Sequence, residues 1–282
     1  MNTYFMLQLL RDQIAESVAA HWDDDKLVGR LNLAQRKVAI LVQGYPGSWL
    51  LKSADLTPVD GVITLPSDCA KPVYMEEKSS GRVISWLDNV RTRRVSRKVA
   101  ASLDSWTGAP EAYPLLGTLE VNESGYTTEV TLWYEMRIPD LMAGTAATGS
   151  GAAALVFPDE SPVKHVNDYY NGVALEVESG TGAGTVGDTI SDYDGATRVC
   201  TVTGTYDNTS VFGTVSRLPE ECHPLILAEA TVLAVAKPSS NIDKEVFQYY
   251  VNERRDVKRD LQEWLETQIK GHRRTVVTED FI

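Results

Sequence analysis

The sequence lacks long hydrophobic runs: none of its windows approaches the roughly 18 consecutive apolar residues that a membrane-spanning helix requires. Its N-terminus has no basic segment and only a short apolar one, so no secretory signal peptide is predicted. Cysteine is scarce as well, since Cys69, Cys200 and Cys222 are odd in number and far apart, which argues against a disulfide framework. These absences predict a protein that is made and used in a reducing cytoplasm.

Positive charge is the second deficit. Lys and Arg number 27 against 39 Asp and Glu, and the formal net charge of −12 argues against a surface that coats nucleic acid. One cluster of basic residues is an exception to this overall excess of acidic residues. It is either a patch that faces DNA phosphates or an acidic partner, since arginine suits both, or a solvated face balanced by the many acids. The cluster consists of Arg91, Arg93, Arg94, Arg97 and Lys98.

Motifs of known catalytic chemistry are absent from the sequence. The nucleophile-elbow, zinc-protease and P-loop patterns do not occur, and the four histidines stand apart from any recognised serine or cysteine motif. No pair of carboxylates is placed to suggest hydrolysis of a glycan or cell wall. We therefore expect no enzymatic activity, no catalytic residue and no cofactor.

One segment matches a nucleotide-binding fingerprint letter by letter. Gly182–Gly187 reads G-x-G-x-x-G, which binds a pyrophosphate only where a strand precedes it and a helix follows. The residues after it are not a helical sequence, so we predict a glycine-rich β-turn. Asp188, Asp192 and Asp194 offer oxygens to calcium, but the twelve-residue loop pattern is missing. Turn-forming aspartates are the favoured interpretation, and no metal is expected.

Helical periodicity marks both ends of the chain. Apolar residues recur at helical spacing over Thr3–Ala20 and Leu27–Val42, which predicts two amphipathic helices. Leu225–Ala236 is apolar nearly all round, so this helix must be buried in a bundle or against a neighbouring subunit. A long helix follows from Ile242 to Gly271. The residues expected to pack between subunits are Leu225, Leu227, Val232 and Val235.

Short strands are predicted between these helices, where β-branched residues are bounded by turn residues. The clearest alternation puts Val130, Leu132 and Tyr134 on one face of a strand. The predicted strands of this part are Val62–Pro66, Val73–Glu76, Arg82–Leu87 and Tyr126–Ile138.

The segment Gly144–Val215 differs from its surroundings in composition and pattern. It combines short alternating stretches with Gly, Asp and Asn turns, which is typical of a small sandwich or barrel. Within it, Gly149–Ala154 is interpreted as a small-residue linker, and Asp192–Gly195 as a tight turn between two strands.

These elements predict an α+β fold, a helical-bundle core with short β-strands and an inserted small all-β domain that is sandwich-like or barrel-like. Residues 1–143 and 216–270 form the core, 144–215 the inserted domain, and 271–282 a tail without periodicity that stays flexible unless a partner orders it. The residues expected to contact such a partner are Lys270, Arg273, Arg274, Val276, Phe281 and Ile282.

Five segments share an order along the chain that is familiar from one protein family: Leu31–Arg36, Ile63–Asp68, Trp133–Leu141, Leu218–His223 and the helix containing Ala228-Glu229-Ala230. Together they resemble the head-to-tail adaptor, or connector, proteins of tailed bacteriophages. The segment Asn171–Val202 is similar to a small β-module that recurs in phage virion proteins.

The resemblance implies a structural protein of the virion neck that is assembled in the host cytoplasm. In that family a usually dodecameric ring docks beneath the portal and prolongs the DNA channel toward the tail, and a flexible C-terminal segment commonly inserts into the portal. The implied partners are further copies of the chain, the portal, a tail or nozzle protein, and genomic DNA that passes without sequence-specific binding. The alternative is a neck or tail component whose inserted β-domain binds a host surface or glycan.

Overall fold

The computed structural model describes residues 1–15, 22–45, 49–87, 110–115, 117–123, 125–159, 162–236 and 244–270, with side chains of the last range to 268. The chain divides into two compact units. The first unit combines Met1–Trp49 with Ile138–Ile282, and the second is Leu50–Arg137. The chain therefore leaves the first unit after its N-terminal part and returns to it after a single excursion.

Seven of the described strands make up the second unit: β1 (Leu51–Leu56), β2 (Val62–Thr64), β3 (Cys69–Glu77), β4 (Ser85–Trp86), β5 (Glu111–Leu115), β6 (Thr118–Val121) and β7 (Val130–Met136). They form an antiparallel sheet in the order β1-β7-β3 and a second sheet in the order β2-β6-β5-β4. In the second sheet β4 runs parallel to β5.

Strand β7 carries the alternation that the sequence predicts. Val130, Leu132 and Tyr134 are buried, whereas Trp133 between them is exposed. Successive side chains of a strand point to opposite faces, so one face of β7 lies in the core. The prediction for this strand is confirmed. The buried face packs in one cluster with apolar residues from other strands, including Ile63, Met75, Ala112 and Leu119.

The β-rich part of the first unit has seven described strands: β8 (Ala143–Thr145), β9 (Ala152–Val156), β10 (Ala174–Ser179), β11 (Asp188–Thr189), β12 (Asp192–Asp194), β13 (Val199–Thr205) and β14 (Val211–Thr214). They form two sheets, β11-β10-β14-β8 and β12-β13-β9. We call residues 143–214 the β-module.

Aromatic side chains fill the core of the β-module. The aromatic ring of Phe157 lies 5.3 Å from Phe212 in a stacked contact and 5.1 Å from Tyr170 in an edge contact. Tyr193 adds a tilted contact to Phe157 at 5.8 Å. Offset and edge contacts of this kind add stability beyond the area that the aromatic rings bury.

Four α-helices of the described chain belong to the first unit: α1 (Thr3–Gln13), α2 (Asp24–Gln43), α3 (His223–Val235) and α4 (Lys244–Lys270). Asn2 caps α1, because its side-chain oxygen accepts a hydrogen bond from the backbone N–H of Phe5 at 2.8 Å. Pro224 lies in the first turn of α3, where its missing N–H leaves no helical bond unmade. Helix α3 packs against both α2 and α4, and α1 contacts α2, α3 and the β-module.

The predicted helical-bundle core is wrong. The described residues contain fourteen strands in four sheets beside four α-helices, so the protein is rich in β-structure. The reason lies partly in strands with a weak sequence signal. β1 reads Leu-Lys-Ser-Ala-Asp-Leu and contains no β-branched residue. β3 contains Pro72, which has no backbone N–H and is tolerated because β3 is an edge strand, with one side that needs no hydrogen-bond donor.

Three predicted elements also differ from the structure. Helix α1 ends at Gln13, and Ala15 has a positive φ of 55°, which ends the helical geometry. Asp192–Asp194 is strand β12, and the turn follows it. The predicted linker Gly149–Ala154 ends inside strand β9. Within the described ranges no helix is both long and apolar enough to cross a membrane.

Candidate functional site

The polar sites predicted from the sequence fall outside the described residues. The basic cluster Arg91–Lys98 lies in the range 88–109, and the tail lies in 271–282. Lys270 is the last residue of α4. Both sites stay predictions, the cluster as a patch for a partner or DNA and the tail as a segment that docks on the portal.

The four residues expected between subunits lie in α3 and are buried within the single chain. Leu225, Leu227, Val232 and Val235 retain between 2% and 8% of their exposure, since α3 packs against both α2 and α4. Little of their surface is left for a second subunit. Contact of these four residues with a neighbouring copy stays a prediction.

Helix α2 holds the segment Pro139–Leu141 by its backbone. Asn32 donates to the carbonyl oxygen of Leu141 at 3.1 Å and accepts from the Leu141 N–H at 2.5 Å. One turn later, Gln35 donates to the carbonyl oxygen of Pro139 at 2.9 Å. All of these atoms are buried, where an unmade hydrogen bond is costly. We call this arrangement the α2 clamp. It fixes the chain where it re-enters the first unit.

An ionic contact continues the α2 clamp toward the surface. The Arg36 guanidinium donates to the Asp140 carboxylate at 2.7 Å, and the hydrogen bond raises the pKa of Arg36 above its usual value. Lys164 of the β-module lies 3.2 Å from the other carboxylate oxygen. Asp140 is almost fully buried while both cations remain about half exposed, so the carboxylate faces inward and the positive charge faces solvent.

A second carboxylate links three helices. Glu229 on α3 lies 3.2 Å from the Lys37 ammonium on α2 and 3.8 Å from the Arg254 guanidinium on α4. The carboxylate is mostly buried, whereas Lys37 is about half exposed. The contact therefore ties the helices together and again leaves positive charge on the surface near α2.

The β-module is tied to the helices by polar contacts that are partly or fully buried. Asn2 donates to the carboxylates of Glu176 and Glu178 on β10. The Thr3 hydroxyl donates to the carbonyl oxygen of Thr214 on β14 at 2.6 Å. Gly213 permits this approach, because a Cβ there would lie 2.5 Å from the backbone nitrogen of Tyr4. These contacts make α1 part of the surface on which the β-module rests.

The glycine fingerprint forms a turn, as the sequence predicts. Gly182–Gly187 connects β10 to β11, and no helix follows it. Asp188, next along the chain, is a buried hydrogen-bond acceptor. Burial raises its pKa, but hydrogen bonds from Tyr206, Thr203 and Gly204 outweigh burial and leave the pKa below the usual value. Asp188 on β11 therefore connects this strand to β13, which contains Thr203 and Gly204.

Asp194 is placed as a turn residue. Its carboxylate accepts from the Ala196 N–H at 2.9 Å and from the Thr197 hydroxyl at 2.6 Å. These bonds lower the pKa of Asp194 below its usual value. In the part of the chain that the structure describes, no cluster of three or more His, Cys, Asp or Glu side chains is placed to hold a metal ion.

The sequence profile of a family described as SU10 adaptor protein matches residues 5–175. This range is more than half of the chain and includes all of the second unit. The chain belongs to the SU10 adaptor protein family. No curated protein matches it. Membership confirms the broad expectation of a phage adaptor, and the structural nature of this family agrees with the expectation of a non-enzymatic protein of the virion.

The α2 clamp of this adaptor lies within the matched residues. Leu31–Arg36 and Trp133–Leu141, two segments of the expected resemblance, meet there through Asn32, Gln35 and Arg36. The segment Leu218–His223 and helix α3 lie after the matched range.

Some apolar residues on the exposed faces of the helices are not predicted as functional, because an amphipathic pattern draws attention to the buried face. Leu33 and Ile40 on α2 are 44% and 70% exposed, and Val246 and Tyr249 on α4 are 45% and 63% exposed. A signal exists in the sequence, because Leu33 and Ile40 are seven residues apart on the face opposite Leu31 and Val38. Where exposed apolar residues form a contiguous patch, the patch is typical of an interaction site.

Proposed function

We propose that this adaptor forms a ring, dodecameric as in the proteins it resembles, that joins the portal to the tail and prolongs the DNA channel in the virion neck. The observation that carries the proposal is the incomplete burial of α4. The helix has 27 residues, yet among its described side chains the single chain buries only Leu261 and Leu265. Neighbouring copies would cover more of its apolar stripe.

The overall charge supports a conduit for DNA. The net charge of −12 makes broad attraction to phosphates unfavourable, so DNA can pass without being held. The basic residues Arg91–Lys98 then serve a local contact, with an acidic partner or with the DNA backbone. A tail or nozzle protein is the partner proposed on the opposite side from the portal.

The alternative function assigns the β-module to recognition of a host surface or glycan. Val166 and Val186, 53% and 76% exposed on its loops, favour a contact of some kind there. The partly or fully buried contacts of Asn2 and Thr3 with the β-module favour instead a part of the adaptor body. That the β-module is an insertion, which simpler members of the family lack, is part of this proposal.

The C-terminal tail supplies a direct test of the portal contact. Ending the chain after Lys270 removes Arg273, Arg274, Val276, Phe281 and Ile282. We expect at least about tenfold weaker binding to the purified portal, because charged and aromatic anchors carry much of an interface's affinity. Binding is measured by biolayer interferometry, and circular dichroism should show unchanged helicity.

A chain with residues 271–282 in shuffled order is the matched control, since it keeps charge and apolar content. It should bind the portal as weakly as the truncated chain. Equal portal affinity of all three proteins would contradict docking through the tail. Binding of the full chain to host cells, with no binding to the portal, would favour the alternative function.

A further inference from the structure

The outward face of α2 combines apolar and basic side chains. Leu33 and Ile40 lie two helical turns apart, one above the other, and Arg36 and Lys37 lie between them. We call these four residues the α2 stripe. They lie opposite the buried face of the helix, so the α2 stripe is available to a partner.

The charge of the α2 stripe is positive at the surface. The side chains of Arg36 and Lys37 are 54% and 52% exposed, whereas their partners Asp140 and Glu229 are 4% and 14% exposed. The cations therefore lie outside and the carboxylates inside. A second cation supports each carboxylate from another element, so positive charge exceeds negative charge locally. An approaching surface meets apolar groups flanked by cations.

The beginning of α4 combines apolar side chains with acidic ones. Glu245, Tyr249 and Glu253 follow one another at a spacing of four residues, which places them along one side of the helix. Val246 lies beside Tyr249, and both are exposed. We call these four residues the α4 stripe. Its charged members are both acidic, so it is apolar and negatively charged.

The two stripes belong to different helices, which both pack on α3. Helices α2 and α4 each pack closely on α3 and make little contact with one another along their lengths. A contact between the α4 stripe of one copy and the α2 stripe of a second copy would be a head-to-tail contact. Contacts between two different surfaces of the same chain generate rings when the rotation closes.

We propose that the α4 stripe of each copy docks on the α2 stripe of the next copy. The occupant of the α2 stripe is a second copy of this chain, because the two stripes match in both apolar character and charge. Tyr249 and Val246 lie against Leu33 and Ile40, and Glu245 and Glu253 face Arg36 and Lys37. The inference rests on the proposed ring and names the surfaces that close it.

The test introduces one charge into each stripe. Ile40→Glu places an acid opposite the acidic α4 stripe, and Tyr249→Lys places a cation opposite the basic α2 stripe. Each variant alone should weaken self-association at least about tenfold in dissociation constant, since each loses a central apolar contact and gains a repulsion. Native mass spectrometry measures assembly of the full chain, alone and on the purified portal. Circular dichroism checks that each variant is folded.

Mixing the two variants is the decisive step. In an alternating ring, the carboxylate introduced by Ile40→Glu in one copy meets the ammonium group introduced by Tyr249→Lys in the next copy. Each remaining contact is native on both sides. Assembly should return in the equimolar mixture, with equal numbers of both variants per ring. A contact between two identical stripes would give no such rescue.

Val59→Glu is the matched control, because Val59 is 71% exposed and apolar but lies between β1 and β2 in the second unit. It should assemble like the wild type. Undiminished assembly of both single variants, failure of the mixture to recover, or equal loss in the control would overturn the inference while leaving the ring in place. A wild-type chain that forms no ring, alone or on the portal, would contradict the proposed function itself.

Discussion

Helices α3 and α4 are neighbours with opposite surroundings. Ten of the thirteen residues of α3 are buried within one chain, whereas α4 is more than twice as long and buries two of its described side chains. The sequence of α3 is apolar all round, and that of α4 is amphipathic. A single copy therefore buries most of α3 and leaves much of α4 exposed. Substitutions in α3 should therefore act on folding, and substitutions in α4 on assembly.

The largest expected effect comes from truncating a buried side chain of α3. Ile226 is fully buried, so Ile226→Ala removes apolar contacts and leaves a cavity. The free energy of unfolding should fall by about 2–5 kcal/mol. Chemical denaturation of the monomeric protein measures it.

Ile40→Ala is the matched control on the exposed α2 stripe, where it should change the free energy of unfolding by less than about 0.5 kcal/mol. Similar losses in both variants would remove the distinction between buried and partner-facing helix surfaces.

A smaller effect is expected from the α2 clamp, on the buried side of the helical layer. Asn32→Leu leaves both the N–H and the carbonyl oxygen of Leu141 without their side-chain partner. The free energy of unfolding should fall by about 1–3 kcal/mol, the typical cost of buried polar groups left unpaired.

Asn252 on α4 allows the same substitution to be made near the surface. Asn252 makes hydrogen bonds with Gln248 and Arg255 near the surface, so Asn252→Leu should cost less than about 0.5 kcal/mol in thermal or chemical unfolding. A larger loss at Asn252 than at Asn32 would show that α4 is held more firmly by its own chain than its burial indicates.

The smallest expected effect is the pH dependence contributed by His223 at the start of α3. Burial lowers the pKa of His223 below its ordinary value of 6.5, and the nearby Met1 amino group adds to this shift. As the pH falls below 6.5, the unfolded chain takes up a proton that folded His223 resists, so stability is lost on acidification. The unfolding midpoint should fall more between about pH 7 and pH 5 in the wild type than in His223→Leu.

Thr231→Val is the control for this prediction, because Thr231 is buried on the same helix and carries no titratable group. It should keep the pH dependence of the wild type. A pH dependence that is unchanged in His223→Leu would contradict the assignment of the effect to His223.

The sequence predicts helices α2 and α4 closely because their apolar residues follow the 3.6-residue period over many turns. It predicts β7 for a similar reason, since Val130, Leu132 and Tyr134 alternate. It predicts α3 because a long apolar stretch begins at Pro224 and ends before Pro238. The short or irregular strands β1, β3 and β5 carry weaker signals, and Pro72 and Pro114 interrupt two of them. The pairing of β1 and β3 depends on β7, far along the chain, which a local pattern does not contain.

The α2 clamp shows the same limit for the candidate site. Leu31–Arg36 and Trp133–Leu141 are recognisable as segments, but their contact spans more than a hundred residues of sequence. Asn32 and Gln35 look like ordinary polar residues of a helix until the backbone of Pro139–Leu141 lies against them. The positive charge of the α2 stripe likewise depends on which carboxylates the fold turns inward.

Cryo-electron microscopy of the wild-type protein bound to its portal tests the central claim most directly. The account predicts a closed ring in which Tyr249 of each copy lies against Ile40 of the next copy. A ring in which the α4 stripe faces solvent, or single copies bound separately to the portal, would contradict it.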